Sequence, residues 1–77
     1  MLNEIKVLSS ISKSLKTKIT INSSVKNTEN WDSIGHLQIL ANLDKLSKGK
    51  ISKIEEFSEA DSVKSIIKIL KKKKIIK

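Results

Sequence analysis

The chain has 77 residues and a net charge of +8, from 16 lysines against 8 acids, with no arginine, cysteine or proline. That length suits one domain, burying about 60% of its unfolded surface, and the missing cysteine excludes a disulfide framework or a thiolate metal site. A single histidine excludes a multi-histidine metal site, no apolar run reaches the roughly 18 residues of a membrane span, and the N-terminus lacks the layout of a secretory signal, so a cytoplasmic protein is expected.

Residues 2–16 read as a first helix. Ile5, Leu8, Ile11 and Leu15 recur on one side with Val7 at its edge, and Lys6, Ser9, Ser10 and Lys13 fall opposite. Residues 17–21 alternate briefly, but a lone strand would have no partner. The polar, turn-rich run 22–30 continues them as a long first loop, with Ile19, Ile21 and Val25 expected to tack it to the core.

Asp32 and Ser33 are capping residues set before an apolar-periodic run, which predicts a helix over 33–46. Ile34, Leu37, Ile39, Leu40, Ala41, Leu43 and Leu46 sweep more than half of its circumference. Only Gly35, Gln38, Asn42 and Lys45 are left for water. So wide an arc predicts a helix buried between neighbours. Trp31, just before the cap, reads as a hydrophobic staple. Ser33 sits at the positive end, where free N–H groups favour a phosphate.

Gly49 is the expected left-handed terminator. Ile51, Ile54 and Phe57 predict a short third helix over 52–57, and Glu55, Glu56, Glu59 and Asp61 form the one acidic patch. Asp61 and Ser62 cap a last helix with Val63, Ile66, Ile67 and Leu70 on its apolar face and Lys64, Lys68 and Lys71 toward water. Lys73 and Lys74 would rotate into the apolar sector, so the basic tail 73–77 is expected to fray. The predicted fold is all-α: a small four-helix bundle, three longer helices and one short third helix, with a long first loop.

The run Trp31-Asp32-Ser33-Ile34-Gly35-His36-Leu37, continuing to Leu46, resembles acyl carrier proteins. The match is an acidic residue, then a serine at the position that bears the prosthetic arm in that family, then an apolar residue opening the second helix. The resemblance covers most of the chain in helix order and residues 31–46 in detail. It implies a carrier domain over 1–72 that is not itself an enzyme. It implies a covalent 4'-phosphopantetheine on Ser33, taken from coenzyme A through a phosphopantetheinyl transferase that uses Mg²⁺. Acyl-transferring or ligating enzymes would then be the other partners of a monomer, in a specialised fatty-acid, polyketide or lipid- or glycan-modifying pathway. Asp32, Ile34, Gln38, Asn42, Glu55 and Glu56 would form the partner interface. Ile34, Leu37, Ile54 and Ile66 would line an acyl pocket. Trp31 either staples the helix or touches the arm, and His36 is a surface residue beside the apolar arc.

Two features depart from that family. The stripe Gln38, Asn42, Lys45 carries no carboxylate, whereas the second helix of typical fatty-acid carriers is acidic. The chain as a whole is basic, which points toward nucleic acid or an anionic surface. The rival readings are therefore a basic helical module for nucleic acid or anionic lipid, and an unmodified carrier fold acting as an interaction protein. Lack of arginine and scarcity of aromatics, Trp31 and Phe57 only, count against nucleic acid, which is not expected as a partner.

Overall fold

In the computed structural model, which describes residues 2–76, every α-helix starts at a polar side chain that accepts a free first-turn N–H. Asn3 caps α1 (Glu4–Leu15), Asp32 caps α2 (Ser33–Leu46) and Ser62 caps α3 (Val63–Lys72), the last reciprocally with Ser65. Met1 and Lys77, placed above in the domain and the tail, lie outside the described residues.

Among the described residues there are three α-helices, one 3-10 helix at Glu55–Glu59, and no strand. The all-α expectation holds, but the four-helix count does not. The third element is a single 3-10 turn, displaced from 52–57. Ile54, extended at φ −106 and ψ 102, interrupts the chain before it. The five residues that remain are too few to nucleate an α-helix, and buried Phe57 anchors them instead.

The helices end at left-handed lysines: Lys16 at φ 55, Lys48 at φ 59 and Lys74 at φ 59. After α2, Lys48 N–H donates to Lys45 O and Gly49 N–H to Asp44 O, the paired bonds of a Schellman end. The left-handed end thus begins at Lys48, one residue before the expected Gly49, which is itself left-handed at φ 85. A cation there also suits the negative end of the helix dipole.

The core is narrower on α1 and α2 than the periodicity implies, whereas α3 buries the four residues expected of it. On α1 it runs through Val7, Ile11 and Leu15, while Ile5 is 78% exposed. On α2 only Gly35, Ile39 and Leu43 are buried, one residue per turn, and Ile34 and Leu37 are 70% and 66% exposed. The expectation of a helix enclosed by neighbours is corrected. With three α-helices, α2 packs mainly along α1 and no fourth layer covers its outer arc. Val63, Ile66, Ile67 and Leu70 of α3 complete the core with Phe57.

Hydrogen bonds, with Ile19 as the one apolar tack of the three expected, hold the first loop. Val25 N–H donates to Asp61 O and Val63 N–H to Ser23 O, both at 2.9 Å, an isolated antiparallel bridge at Ser24 and Ser62. Ile19 packs against the core, but Ile21 and Val25 stay exposed.

The chain after Lys72 also differs from a frayed tail. Lys74 turns it back, Lys74 N–H bonds Lys71 O and Ile75 N–H bonds Leu70 O. This second Schellman end carries Ile76 into the core, where it is 5% exposed. The helical wheel misses this because the α-helix has already ended. Deletion of residues 73–77 is expected to remove about 2 kcal/mol through the loss of Ile76. That lowers the melting temperature of a domain this size by roughly 10 °C. An unchanged melt would show that the tail contributes nothing to folding.

Candidate functional site

The N-terminus of α2 is built by residues 30–36. Asn30, left-handed at φ 68, donates from Nδ2 to Leu15 O, so the loop closes over the end of α1. The chain then passes so near α2 that a Cβ on Gly35 would sit on the Asn30 carbonyl oxygen and 2.8 Å from Leu15 Cδ2. Gly35, read from the sequence as part of the solvent stripe, is instead the contact that lets the loop lie against the helix.

Asp32 Oδ1 accepts the Gly35 N–H at 2.8 Å, and Asp32 O accepts the His36 N–H. Ser33 is the first helical residue. It is exposed, and its hydroxyl has no hydrogen-bond partner among the described residues. The cap on Asp32 therefore leaves the serine oxygen free. The serine sits where unpaired N–H groups and the dipole favour negative charge.

Trp31 is buried and its ring lies nearly in plane with that of His36, with centroids 6.3 Å apart and planes 17° apart. These are the positions of a hydrophobic staple, one residue before the cap and four after it. The Trp31 indole N–H donates to His36 Nδ1 at 3.1 Å, and His36 Nε2 lies 2.8 Å from Phe57 O. An indole only donates and a carbonyl only accepts. These partners therefore assign the proton to Nε2 and the lone pair to Nδ1. His36 is thus a half-buried brace between the α2 entrance and the 3-10 helix, rather than a surface residue.

Beside Ser33 lies a groove of about 510 Å³, walled by Trp31, Leu37, Leu40, Val25 and Ala60. Of the four residues expected to line an acyl pocket, only Leu37 reaches it. Ile34 points outward, Ile66 is fully buried in the core, and Ile54 lines a separate groove with Leu40 and Glu55. The four do not meet because the α2 core stripe turns Ile34 away, Ile66 belongs to the core stripe of α3, and Ile54, ahead of the 3-10 helix, opens on the other groove. Val25, expected from the sequence to tack the loop to the core, and Ala60, unnoticed there, reach the groove beside the bridge that joins the first loop to the start of α3. No periodicity signals that bridge.

The residues expected at a partner interface are also divided. Asp32, Ile34 and Gln38 are exposed at the start of α2. Asn42 is half-buried and donates to Ser14 Oγ at 2.6 Å, tying α2 to α1. Glu55 and Glu56 belong to the separate groove by Leu40. Glu56 meets Lys73 Nζ at 3.0 Å and Lys72 Nζ at 3.2 Å, and these hydrogen bonds, Lys73 first, hold its carboxyl below the usual carboxylate range. Asp44 bonds the backbone N–H groups of Ile51 and Ser52 and fixes the next segment.

Among the described residues no cluster of potential metal ligands occurs, and no helix is long and apolar enough to cross a membrane. No family model, curated protein or solved structure matches the chain.

Proposed function

We propose that the chain is an acyl carrier protein modified at Ser33. The observation that supports this best is a free, exposed serine hydroxyl at the first position of α2 beside an apolar-walled groove. A carrier requires a hydroxyl open to a transferase, and apolar surface nearby offers shelter to part of an acyl cargo. In this reading Ser33 Oγ attacks the pyrophosphate of coenzyme A, forms a phosphodiester, and displaces adenosine 3',5'-bisphosphate within a transferase that provides Mg²⁺ and takes up the serine proton. When attached, 4'-phosphopantetheine supplies a terminal thiol that holds an acyl or aminoacyl group as a thioester. Asp32 keeps the helix start ordered. Trp31 and His36 hold the groove wall, and the α2 dipole favours the new phosphate. The exposed arc Ile34 and Leu37, with Gln38 beside it, serves as the approach for acyl-transferring or ligating enzymes. With no carboxylate on that arc, the reading favours a specialised pathway over bulk fatty-acid synthesis.

The basic-module alternative gains no support from the lysine run at 71–74. Lys71 pairs with Glu4 at 2.9 Å, and Lys72 and Lys73 pair with Glu56, so three of its cations already have protein partners.

Incubation with coenzyme A, Mg²⁺ and a broad-specificity transferase is expected to add one phosphopantetheine mass to the wild-type chain and none to Ser33→Ala. The variant should melt like wild type, because the side chain makes no contact in the core. Modification of the variant would move the site to another serine. No modification of either protein would favour the unmodified interaction protein.

A further inference from the structure

A second groove, of about 490 Å³, runs between α1 and α2 and is lined by Lys6, Ser9, Lys13, Asn42, Lys45 and Leu46, with no carboxylate. We propose that it binds an acidic amphipathic helix of a partner protein.

The groove follows from side-chain size. The buried contacts of α1 and α2 run through Ile11, Leu15, Ile39 and Leu43. Beside that seam α1 carries only small serines, Ser9 and Ser10, which line the groove with Asn42 and leave it unfilled. Leu46 at the lower end is left 48% exposed. The result is a groove whose surface is largely aliphatic, from Leu46 and the lysine stems, with cationic edges, the inverse of the edge pattern on an acidic amphipathic helix.

Charge decides the sign of the partner. The ion pairs among the described residues gather at the end of α3, where Glu4 takes Lys71 and Glu56 takes Lys72 and Lys73. Among the described residues Lys6, Lys13 and Lys45 have no carboxylate within ion-pair distance. Asp32 and Asp44, the acids of the α2 region, are occupied by backbone N–H groups. The protein leaves this face uniformly positive, and such a face selects acidic partners and repels basic ones.

Spacing decides the class. Lys6 and Lys13 are seven residues apart on one helix, two turns, or roughly 10 Å. A single headgroup or phosphate cannot meet both, whereas a helix laid along the groove repeats a carboxylate at that interval. Lys45 faces them across the groove and would meet the other flank of the same helix. Without an aromatic or arginine in the lining, the groove offers nothing to stack a base or grip a phosphate as a fork.

The test uses the full, unmodified chain, so its outcome does not depend on whether Ser33 accepts an arm. The probe is a synthetic helix of about 18 residues, long enough to hold helical structure, with leucines on one face and glutamates flanking them at seven-residue spacing. Titrated into ¹⁵N-labelled protein, it should shift amides over 6–13 and 42–46 saturably. A scrambled peptide of equal composition should bind about tenfold or more weakly. The triple variant Lys6→Gln, Lys13→Gln, Lys45→Gln should lose about tenfold in affinity with an unchanged melting temperature. A control removing equal charge elsewhere, Lys26→Gln, Lys64→Gln, Lys68→Gln, should retain binding. Equal loss in both variants would overturn the proposal, since net charge alone would then explain binding. So would saturable shifts centred on Ser33 and Ala60, absence of saturable binding, or equal binding of the scrambled peptide, a short DNA duplex or phosphatidylglycerol vesicles.

Discussion

Gly35→Ala is expected to destabilise the protein by about 3 kcal/mol or more, at the upper end of what overpacking usually costs. Helix propensity argues the other way. Alanine is favoured over glycine within a helix by about 1 kcal/mol, so an isolated α2 peptide should become more helical on this change. In the folded chain the new Cβ would overlap the Asn30 carbonyl oxygen and press within 2.8 Å of Leu15 Cδ2. The carbonyl belongs to backbone held at φ 68 and tied to the end of α1 by the Asn30 side chain, so it has little room to retreat. Moving the loop would release that bond and disturb Trp31, the next residue. A chain of this length has a total stability of roughly 4–12 kcal/mol, so a substantial unfolded fraction at room temperature is expected. Urea denaturation of variant and wild type measures the difference. A midpoint equal to or above wild type would mean that propensity wins and that the Asn30 contact is not tight.

Leu43→Ala is expected to cost about 2–5 kcal/mol, the range for truncating an enclosed leucine. Leu43 is fully buried in the seam of α1 and α2. Leu40→Ala, in the same apolar arc, should cost only about 1 kcal/mol, because Leu40 is half-buried at a groove wall and little of its area is withdrawn from water. The pair separates two accounts of α2. If the helix were enclosed on most sides, as its composition suggests, both truncations would be severe. Thermal melts of the two variants should differ by more than 5 °C or so, and equal melts would contradict the one-sided packing.

How much was legible in the sequence differs from element to element. The span of α2, 33–46, follows from Asp32 and from periodicity, because a cap and an apolar repeat act within one or two turns. The stop near Lys72 follows equally well, since the apolar face runs out there. The exposure of Ser33 could also be read, for a first-turn residue next to a cap has its side chain outside the helix. Other features were not legible. The wheel put Ile5 inside and Gly35 outside, and both are reversed. A wheel ranks the sides of a helix by apolarity, but only the neighbouring helix decides which side is covered.

The sequence by itself determined that the chain is helical, where α2 and α3 start, and that an exposed serine opens α2. Those properties depend on backbone hydrogen bonds and side chains a few residues apart. Tertiary structure alone decided that Trp31 and His36 brace the 3-10 helix, that Val25 and Ala60 wall the groove beside Ser33, and that Ile76 returns to the core. It also left Lys6, Lys13 and Lys45 along one unfilled seam. Each of these joins residues distant in sequence, and each depends on how far apart two helices settle. That distance is set by summed side-chain volumes at the seam, here small serines and an asparagine, and no local pattern of apolar and polar residues encodes it.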